Sequence, residues 1–240
     1  MTRLLVIDAD HDLAHRLAAA LRRKTREVAE VRTREEALLL ALAPLRRPDL
    51  VVLGLGTSNC GGFQLLEELR KGGFHGPVLV YSTSREEGQV VRAFRLGADQ
   101  FLTLPFGEAE LLARVDSLLD RAQARGMEGM HTDASSTTTH RYMFGSVVVD
   151  PVTHQVYRSG KPVKLAPLEF DLLVALLRRQ GAATTRGELL REVWNYGPDV
   201  MSRTLDTHIL NLREKLEDEP STPRHILTVR KLGYRLHAES

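Results

Sequence analysis

Between residue 1 and about residue 120, five short apolar runs alternate with five amphipathic segments. This alternation restricts the fold more than any other feature of the chain. The runs are Leu4–Ile7, Val28–Val31, Leu50–Leu53, Val78–Tyr81 and Gln100–Thr103. The segments between and after them are Asp12–Arg23, Arg34–Leu42, Phe63–Lys71, Glu86–Leu96 and Glu108–Arg121. Short runs bounded by turn residues read as strands, and apolar residues at helical spacing read as helices. A strand followed each time by a helix gives a parallel sheet with helices on both faces, so this half is α/β. Ligands in such sheets sit beyond the carboxyl ends of the strands. Asp8, Gly54, Ser82 and Leu104 are therefore the residues at which chemistry is expected.

The pattern then changes. Residues 122–141 are polar, contain a Ser/Thr run and have little apolar matter to bury, so a flexible linker is expected between a domain at 1–121 and a second at 142–238, with a fifth helix reaching Arg125 as a compatible alternative. The second domain opens with short strands, Phe144–Val149, Gln155–Arg158 and Lys161–Leu165, turned at Asp150-Pro151 and Ser159-Gly160. Pro167 starts a helix at a position where a missing N–H costs nothing. Leu168, Leu172, Leu173 and Leu176 are its buried stripe, and Gly181 lies just past its end. Thr185 and Glu188 form a capping box for a helix at Thr185–Trp194.

After a turn at Asn195–Ser202 comes the most informative helix, Ser202–Glu217. Leu205, Ile209, Leu212 and Leu216 fall on one stripe and face a core. Arg203, Thr207, Leu210, Asn211 and Glu214 fall opposite, with Thr204 and His208 at the edge. An ordinary core helix with a solvated face shows the same pattern. Behind this helix, however, lies an alternating strand pair, Ile226–Arg230 and Tyr234–His237, joined through Lys231-Leu232-Gly233. Two helices and a hairpin in this order make a winged helix, whose second helix enters the DNA major groove while the hairpin touches the flanking backbone or minor groove.

Bulk properties agree with this without requiring it. A chain of 240 residues has room for two cores. The formal net charge is +2, and residues 141–240 carry 15 Lys/Arg against 12 Asp/Glu, so charge permits nucleic-acid binding without demanding it. Cys60 is the only cysteine, which excludes an intrachain disulfide and a cysteine-rich zinc site. The start, MTRLLVIDAD, turns acidic too early for a signal peptide, and no apolar run reaches membrane length, so a cytoplasmic protein is expected. No nucleophile–base pair, phosphate loop or metal-ligand spacing is visible. His11 and His15 share a helix face without a third ligand. No enzyme activity, cofactor or metal is expected.

The runs RTLDTHILNLREKL and PRHILTVRKLGYRL, with GKPVKLAPLEFDLL and TTRGELLREVW before them, resemble the DNA-binding domain of the OmpR/PhoB-type response regulators over essentially all of 142–237. The first half resembles their receiver domain over its full length, through LLVIDAD, PDLVVLGLG, PVLVYSTS and GADQFLTLPF. The resemblance implies a flavodoxin-like five-stranded parallel receiver followed by an α+β winged-helix domain, in a bacterial DNA-binding transcription regulator. Receivers of this family carry an acidic pair after the first strand, a phosphoacceptor aspartate ending the third, a Thr/Ser ending the fourth and a lysine before a proline after the fifth. Asp8 matches the first acid and Ser82 the hydroxyl. Ala9 stands at the second acid, Gly54 at the acceptor and Leu104, before Pro105, at the lysine. Ser58 stands where a proline is usual.

These departures have chemical consequences. Glycine offers no carboxylate nucleophile. One carboxylate is a thin site for Mg²⁺, which takes several oxygen ligands, and leucine supplies no cation to a transferred phosphoryl group. A receiver working without conventional aspartyl phosphorylation is expected. The resemblance further implies DNA contact at Arg203, Thr204, Thr207, His208, Asn211, Arg213, Arg230, Lys231 and Tyr234. It also implies a homodimer through a receiver face that includes Phe94, Glu110, Ala113 and Arg114, and a contact of the 195–202 turn with RNA polymerase. The alternative is a protein-interaction module whose receiver docks a partner, with DNA binding secondary.

Overall fold

The computed structural model describes residues 1–22, 25–44, 46–56, 61–84, 86–128, 141–194 and 203–238, taking in only the backbone at 124–128 and 203. The chain divides into two compact units, Met1–Ala124 and Arg125–Ser240.

In the first unit the order is β1 (Thr2–Ile7), α1 (His11–Leu21), β2 (Arg26–Val31), α2 (Arg34–Leu42), β3 (Leu50–Gly54), α3 (Gly62–Lys71), β4 (Val78–Ser82), α4 (Glu87–Arg95), β5 (Gln100–Thr103) and α5 (Glu108–Glu128). The strands form one parallel sheet in the order β2-β1-β3-β4-β5. Every residue of β3 and β4 is buried, as a strand covered on both faces requires, whereas the edge strand β2 mixes buried and exposed positions. Leu5, Ile7, Val51, Leu53, Val78 and Val80 meet Leu65, Leu66 and Leu69 of α3 and Phe94 of α4 in one core. Successive strands run outward from β1 in one direction to β2 and in the other to β3, β4 and β5. The carboxyl ends of β1 and β3 therefore flank the point where strand order reverses, and Asp8 and Gly54 lie there.

The fifth helix passes the expected boundary at Arg121 and continues to Glu128. Residues 121–128, RAQARGME, are mostly good helix formers, and the polar composition that suggested a linker does not oppose a helix. The rest of the expected linker, 129–140, lies outside the described residues.

The second unit begins with the antiparallel sheet β6 (Tyr142–Phe144), β7 (Val147–Asp150), β8 (Gln155–Arg158) and β9 (Lys161–Pro162), in that order. The single strand expected at Phe144–Val149 is divided by a turn, with Gly145 at φ 48°, a conformation that favours glycine. Next come α6 (Pro167–Leu177), β10 (Thr184–Thr185), α7 (Arg186–Trp194), α8 (Arg203–Leu216), β11 (Ile226–Val229) and β12 (Gly233–Leu236). The last sheet has the order β10-β12-β11. Gly233 permits the close approach of β12 to β10, because a Cβ there would overlap the Thr184 carbonyl oxygen and stand 2.9 Å from the Arg186 nitrogen. The expected reciprocal cap of α7 is formed: Glu188 N donates to Thr185 Oγ1 at 3.2 Å, and Thr185 N donates to Glu188 Oε2 at 2.9 Å. The Thr185 N–H, and then the Thr185 hydroxyl donating to the same oxygen at 2.8 Å, hold the Glu188 carboxyl below the usual carboxylate range.

All of α6 except Asp171 is buried, so it is the central helix of the unit. Its Glu169 has no exposed surface, and a buried carboxylate needs partners. Ala166 N donates to Oε2 at 2.8 Å, Lys215 Nζ reaches the same oxygen at 2.5 Å, and Asn211 Nδ2 donates to Oε1 at 2.9 Å. Two of these three donors belong to α8, so Glu169 fixes the rotation of that helix about its own axis. Glu169→Ala strands all three donors and is expected to destabilise the second unit by about 3–5 kcal/mol. Asn211→Ala removes one bond and is expected to cost about 1–2 kcal/mol. Urea titrations followed by the fluorescence of Trp194 report this unit alone, because that buried residue is the only tryptophan of the chain. A neutral Glu169→Ala would overturn the role assigned to the carboxylate.

Candidate nucleic-acid interface and receiver pocket

The buried arc of α8 is wider than its leucine stripe. Leu205, Ile209, Leu212 and Leu216 are buried, as their spacing requires. Thr207, His208 and Asn211 are buried as well, at 7%, 0% and 2% exposure, which corrects the expected placement of Thr207 and Asn211 on the open side of the helix and of His208 at its edge. The reason is that α8 is packed from more than one direction. Asn211 turns to Glu169 of α6. The His208 ring meets Trp194 of α7 edge-on, with centroids 5.0 Å apart, and its Nδ1 donates to the Thr204 carbonyl oxygen at 2.8 Å. Glu214 remains exposed, and Thr204 and Leu210 are half-buried. The side chain of Arg203 lies outside the described residues.

Arg213 is half-buried and turned to the hairpin: Nε donates to the Ile226 carbonyl oxygen at 2.9 Å and Nη2 to Thr228 Oγ1 at 2.8 Å. Burial lowers its pKa from the ordinary arginine value. Tyr234, expected at the open surface of the hairpin, is only 4% exposed. Its hydroxyl donates to Asp206 Oδ1 at 2.5 Å and accepts from Arg186 Nη2 at 3.1 Å. Burial, and then the hydrogen bond to Asp206, push the phenol up to about 12. Arg186 forms an ion pair with Asp206, and its guanidinium carbon lies 5.1 Å from the centre of the Tyr234 ring. The first residue of α7, the first turn of α8 and β12 are thereby joined through one tyrosine. The hairpin tip is different. Arg230 and Lys231 are both exposed, and Lys231 takes a left-handed conformation, φ 61°, in the turn between β11 and β12.

Sequence reasoning places Arg230 and Lys231 at the hairpin tip, where both are exposed, and misses the residues that set α8 in place. Glu169 reads locally as a first-turn helix acid, Asp206 as a polar residue in a polar stretch, and Arg186 as a helix-start charge. Two acids in the apolar stretch LAPLEFDLLVALL, Glu169 and Asp171, were the available signal, since such a helix retains a buried acid only where partners reach it; the structure buries Glu169 and not Asp171.

In the first unit, Asp8 lies 3% exposed beyond β1. Its Oδ1 accepts from Asp10 N at 2.9 Å, and its Oδ2 accepts from the Tyr81 hydroxyl at 2.5 Å. Asp10 caps α1, its Oδ1 accepting from the Asp12 and Leu13 nitrogens at 3.0 Å each, so its carboxylate is directed to the helix start. Ala9 is half-buried. Gly54 ends β3 opposite Tyr81 in register. Ser82 is buried and its Oγ accepts from Ser84 N at 3.1 Å. Leu104, half-buried, comes after β5 and donates its N–H to the Ser82 carbonyl oxygen at 2.8 Å. Asp8, Gly54 and Tyr81 are thus gathered at one end of the sheet. Ser58 and Cys60 lie outside the described residues, as does the 195–202 turn. Among the described residues no three His, Cys, Asp or Glu side chains are placed to hold a metal ion.

Of the expected dimer-face residues, Phe94 is buried in the core and is not available to a partner. The amphipathic pattern of α4 allows either placement, and the β-sheet claims the ring. Glu110 and Ala113 are exposed, while Arg114 pairs with Glu110 at 2.8 Å and donates to Gln100 Oε1 at 3.3 Å. Among the described residues no helix is long and apolar enough to cross a membrane.

The first unit matches the model of the response regulator receiver domain over residues 4–116, and the second matches that of the transcriptional regulatory protein C-terminal domain over residues 160–236. The chain is similar to the KDP operon transcriptional regulatory protein KdpE of Escherichia coli (strain K12), with 34% identity covering 98% of this chain and 99% of that protein. It is similar also to the DNA-binding response regulator MtrA of Mycolicibacterium smegmatis, with 36% identity covering 97% and 96%. A solved structure of a RitR mutant has a TM-score of 0.76 at 24% identity and covers 99% of each chain, a likeness of fold alone. The chain belongs to the OmpR/PhoB-type response regulators, transcription factors and not enzymes, which join a receiver to a winged-helix DNA-binding domain.

Proposed function

We propose that this response regulator binds duplex DNA through α8 and the hairpin between β11 and β12, as a dimer, and that its receiver works without aspartyl phosphorylation. The observation that carries the reading is the pair at the strand-order reversal: Gly54 at the end of β3, with the buried Asp8 carboxylate beside it. Aspartyl phosphorylation forms a bond from a carboxylate oxygen to phosphorus, and Gly54 has no side chain to supply it. The Mg²⁺ that this chemistry uses in the family does not fit the residues present. Ala9 and Gly54 bring no oxygen from a side chain, Asp10 caps α1, and both oxygens of Asp8 already accept protein hydrogen bonds. Leu104 brings no cation to a phosphoryl group.

For DNA, the support is the exposed pair Arg230 and Lys231 at the hairpin tip and the outward side of α8 at Thr204, Leu210 and Glu214. Relatives at 34% and 36% identity carry names that make them a transcriptional regulatory protein and a DNA-binding response regulator. Hairpin cations meet phosphates and carry little sequence information. The dimer uses the face formed by α4, β5 and α5, with Glu110 and Ala113 at its exposed part and Phe94 supporting it from beneath.

Three measurements test these parts. Incubation with Mg²⁺ and acetyl phosphate is expected to leave the intact mass at native pH and the affinity for a selected duplex unchanged; a stoichiometric phosphate gain with tighter binding would overturn phosphate independence. Arg230→Ala and Lys231→Ala are each expected to lower affinity for all duplexes alike and to reduce the slope of log affinity against log salt by about 1. An unaltered slope would remove the hairpin from the interface. Ala113→Arg is expected to move the sedimentation equilibrium toward monomer, and an unchanged dimer would assign another face.

A further inference from the structure

The receiver pocket holds a tyrosine whose position depends on Gly54. Tyr81 pairs with Gly54 across β3 and β4, and paired residues of a parallel sheet share a face. Its ring is 1% exposed and meets Phe106 edge-on at 6.1 Å. A Cβ built on Gly54 would stand 3.1 Å from Tyr81 Cζ, 2.9 Å from Asp8 Cγ and closer still to Asp8 Oδ2. The Asp8 carboxylate therefore occupies the space into which any side chain at position 54 would grow. It is held there by the Tyr81 hydroxyl at 2.5 Å on one oxygen and by the Asp10 N–H at 2.9 Å on the other.

We propose that Tyr81 is the residue that keeps this pocket closed, its hydroxyl holding the Asp8 carboxylate across Gly54 in the volume an acceptor side chain would fill. The inference rests on the reading of Gly54 given above and deepens it. An open acidic pocket needs carboxylates that face one another across a cation, because unpaired buried charges are costly. Here one carboxylate remains and is satisfied by donors of the chain itself. A carboxylate at position 54 is then insufficient to reopen the site, since the hydroxyl opposes the movement of Asp8 that would make room. A merely structural Tyr81 makes a different demand: its loss lowers stability by the same amount whatever stands at position 54.

The test is a double-mutant cycle in the full chain, read by calorimetry of the transition that Trp194 fluorescence does not follow. Gly54→Ala adds only the colliding methyl, and Tyr81→Phe removes only the hydroxyl. Gly54→Ala alone is expected to lower the receiver midpoint by several degrees, and the double variant to fall well short of the sum of the two losses, because Asp8 is then able to turn away. Losses that add without coupling overturn the proposal. A second measurement uses Mg²⁺ as the probe. Gly54→Asp is expected to show no stabilisation by the ion, whereas Gly54→Asp with Tyr81→Phe is expected to gain about 3 °C or more at saturating Mg²⁺. A response of Gly54→Asp alone equal to that of the double variant, or no response in either, likewise overturns it. Phosphate gain by the wild-type chain is a separate outcome: it overturns the reading of Gly54, whereas an uncoupled cycle removes Tyr81 from the pocket and leaves that reading standing.

Discussion

The second unit depends on one buried carboxylate. Glu169 has no exposed surface, and its two oxygens receive the N-terminal backbone of its own helix and two side chains of α8. Leucines at helical spacing define which half of a helix is buried, but they fix its rotation only loosely, since apolar contact has no direction. Hydrogen bonds to a fixed carboxylate have one. By meeting Asn211 and Lys215, Glu169 turns Thr207, His208 and Asn211 inward and leaves Leu210 and Glu214 toward solvent. The cluster of Arg186, Asp206 and Tyr234 does the same for the other end of the helix and joins it to the hairpin. The surface proposed to meet DNA is therefore set by polar contacts beneath it.

The receiver presents the opposite case, in which a missing side chain governs its neighbours. The parallel sheet brings the ends of β1, β3 and β4 together whatever residues stand there. With glycine at the end of β3, the space is filled from two sides, by the Asp8 carboxylate and the Tyr81 ring. Filling of this kind keeps the sheet dense while β3 brings no side-chain oxygen to this end of it.

The fold was legible because its signals are periodic. Five apolar runs with intervening helical segments define the receiver, and the stripe, cap and hairpin patterns define the winged helix. Two-residue elements such as β10 give no alternation to detect, and the last turn of α5, from Arg125 to Glu128, is concealed by a composition equally suited to a linker. The candidate site was legible only in part. The exposed hairpin cations reflect local turn chemistry. The inward placement of Thr207, His208 and Asn211 depends on three other elements, α6, α7 and the wing, whose arrangement no local pattern contains. Tyr234 was read as a surface contact because a tyrosine in a hairpin serves equally well buried or exposed, and Asp206 and Arg186 decide between these.

The distribution of charge in the second unit bears on how sequence is read on the proposed interface. Lys215, Arg213 and Arg186, all on or beside α8, are engaged within the unit, with Glu169, with the hairpin and with Asp206 respectively. The described outward side of α8 offers a hydroxyl at Thr204, an apolar side chain at Leu210 and a carboxylate at Glu214. Among the described cations named for the proposed interface, Arg230 and Lys231 are then the ones left exposed to attract phosphate, and they lie outside the groove that the helix is proposed to enter. Such a helix selects more than it attracts: an apolar side chain favours a thymine methyl, and a carboxylate accepts from the amino group of cytosine while repelling phosphate. On the proposed interface, affinity from the hairpin and selectivity from the helix are separable contributions, and in the proposed dimer both increase, because each unit meets a half-site of its own.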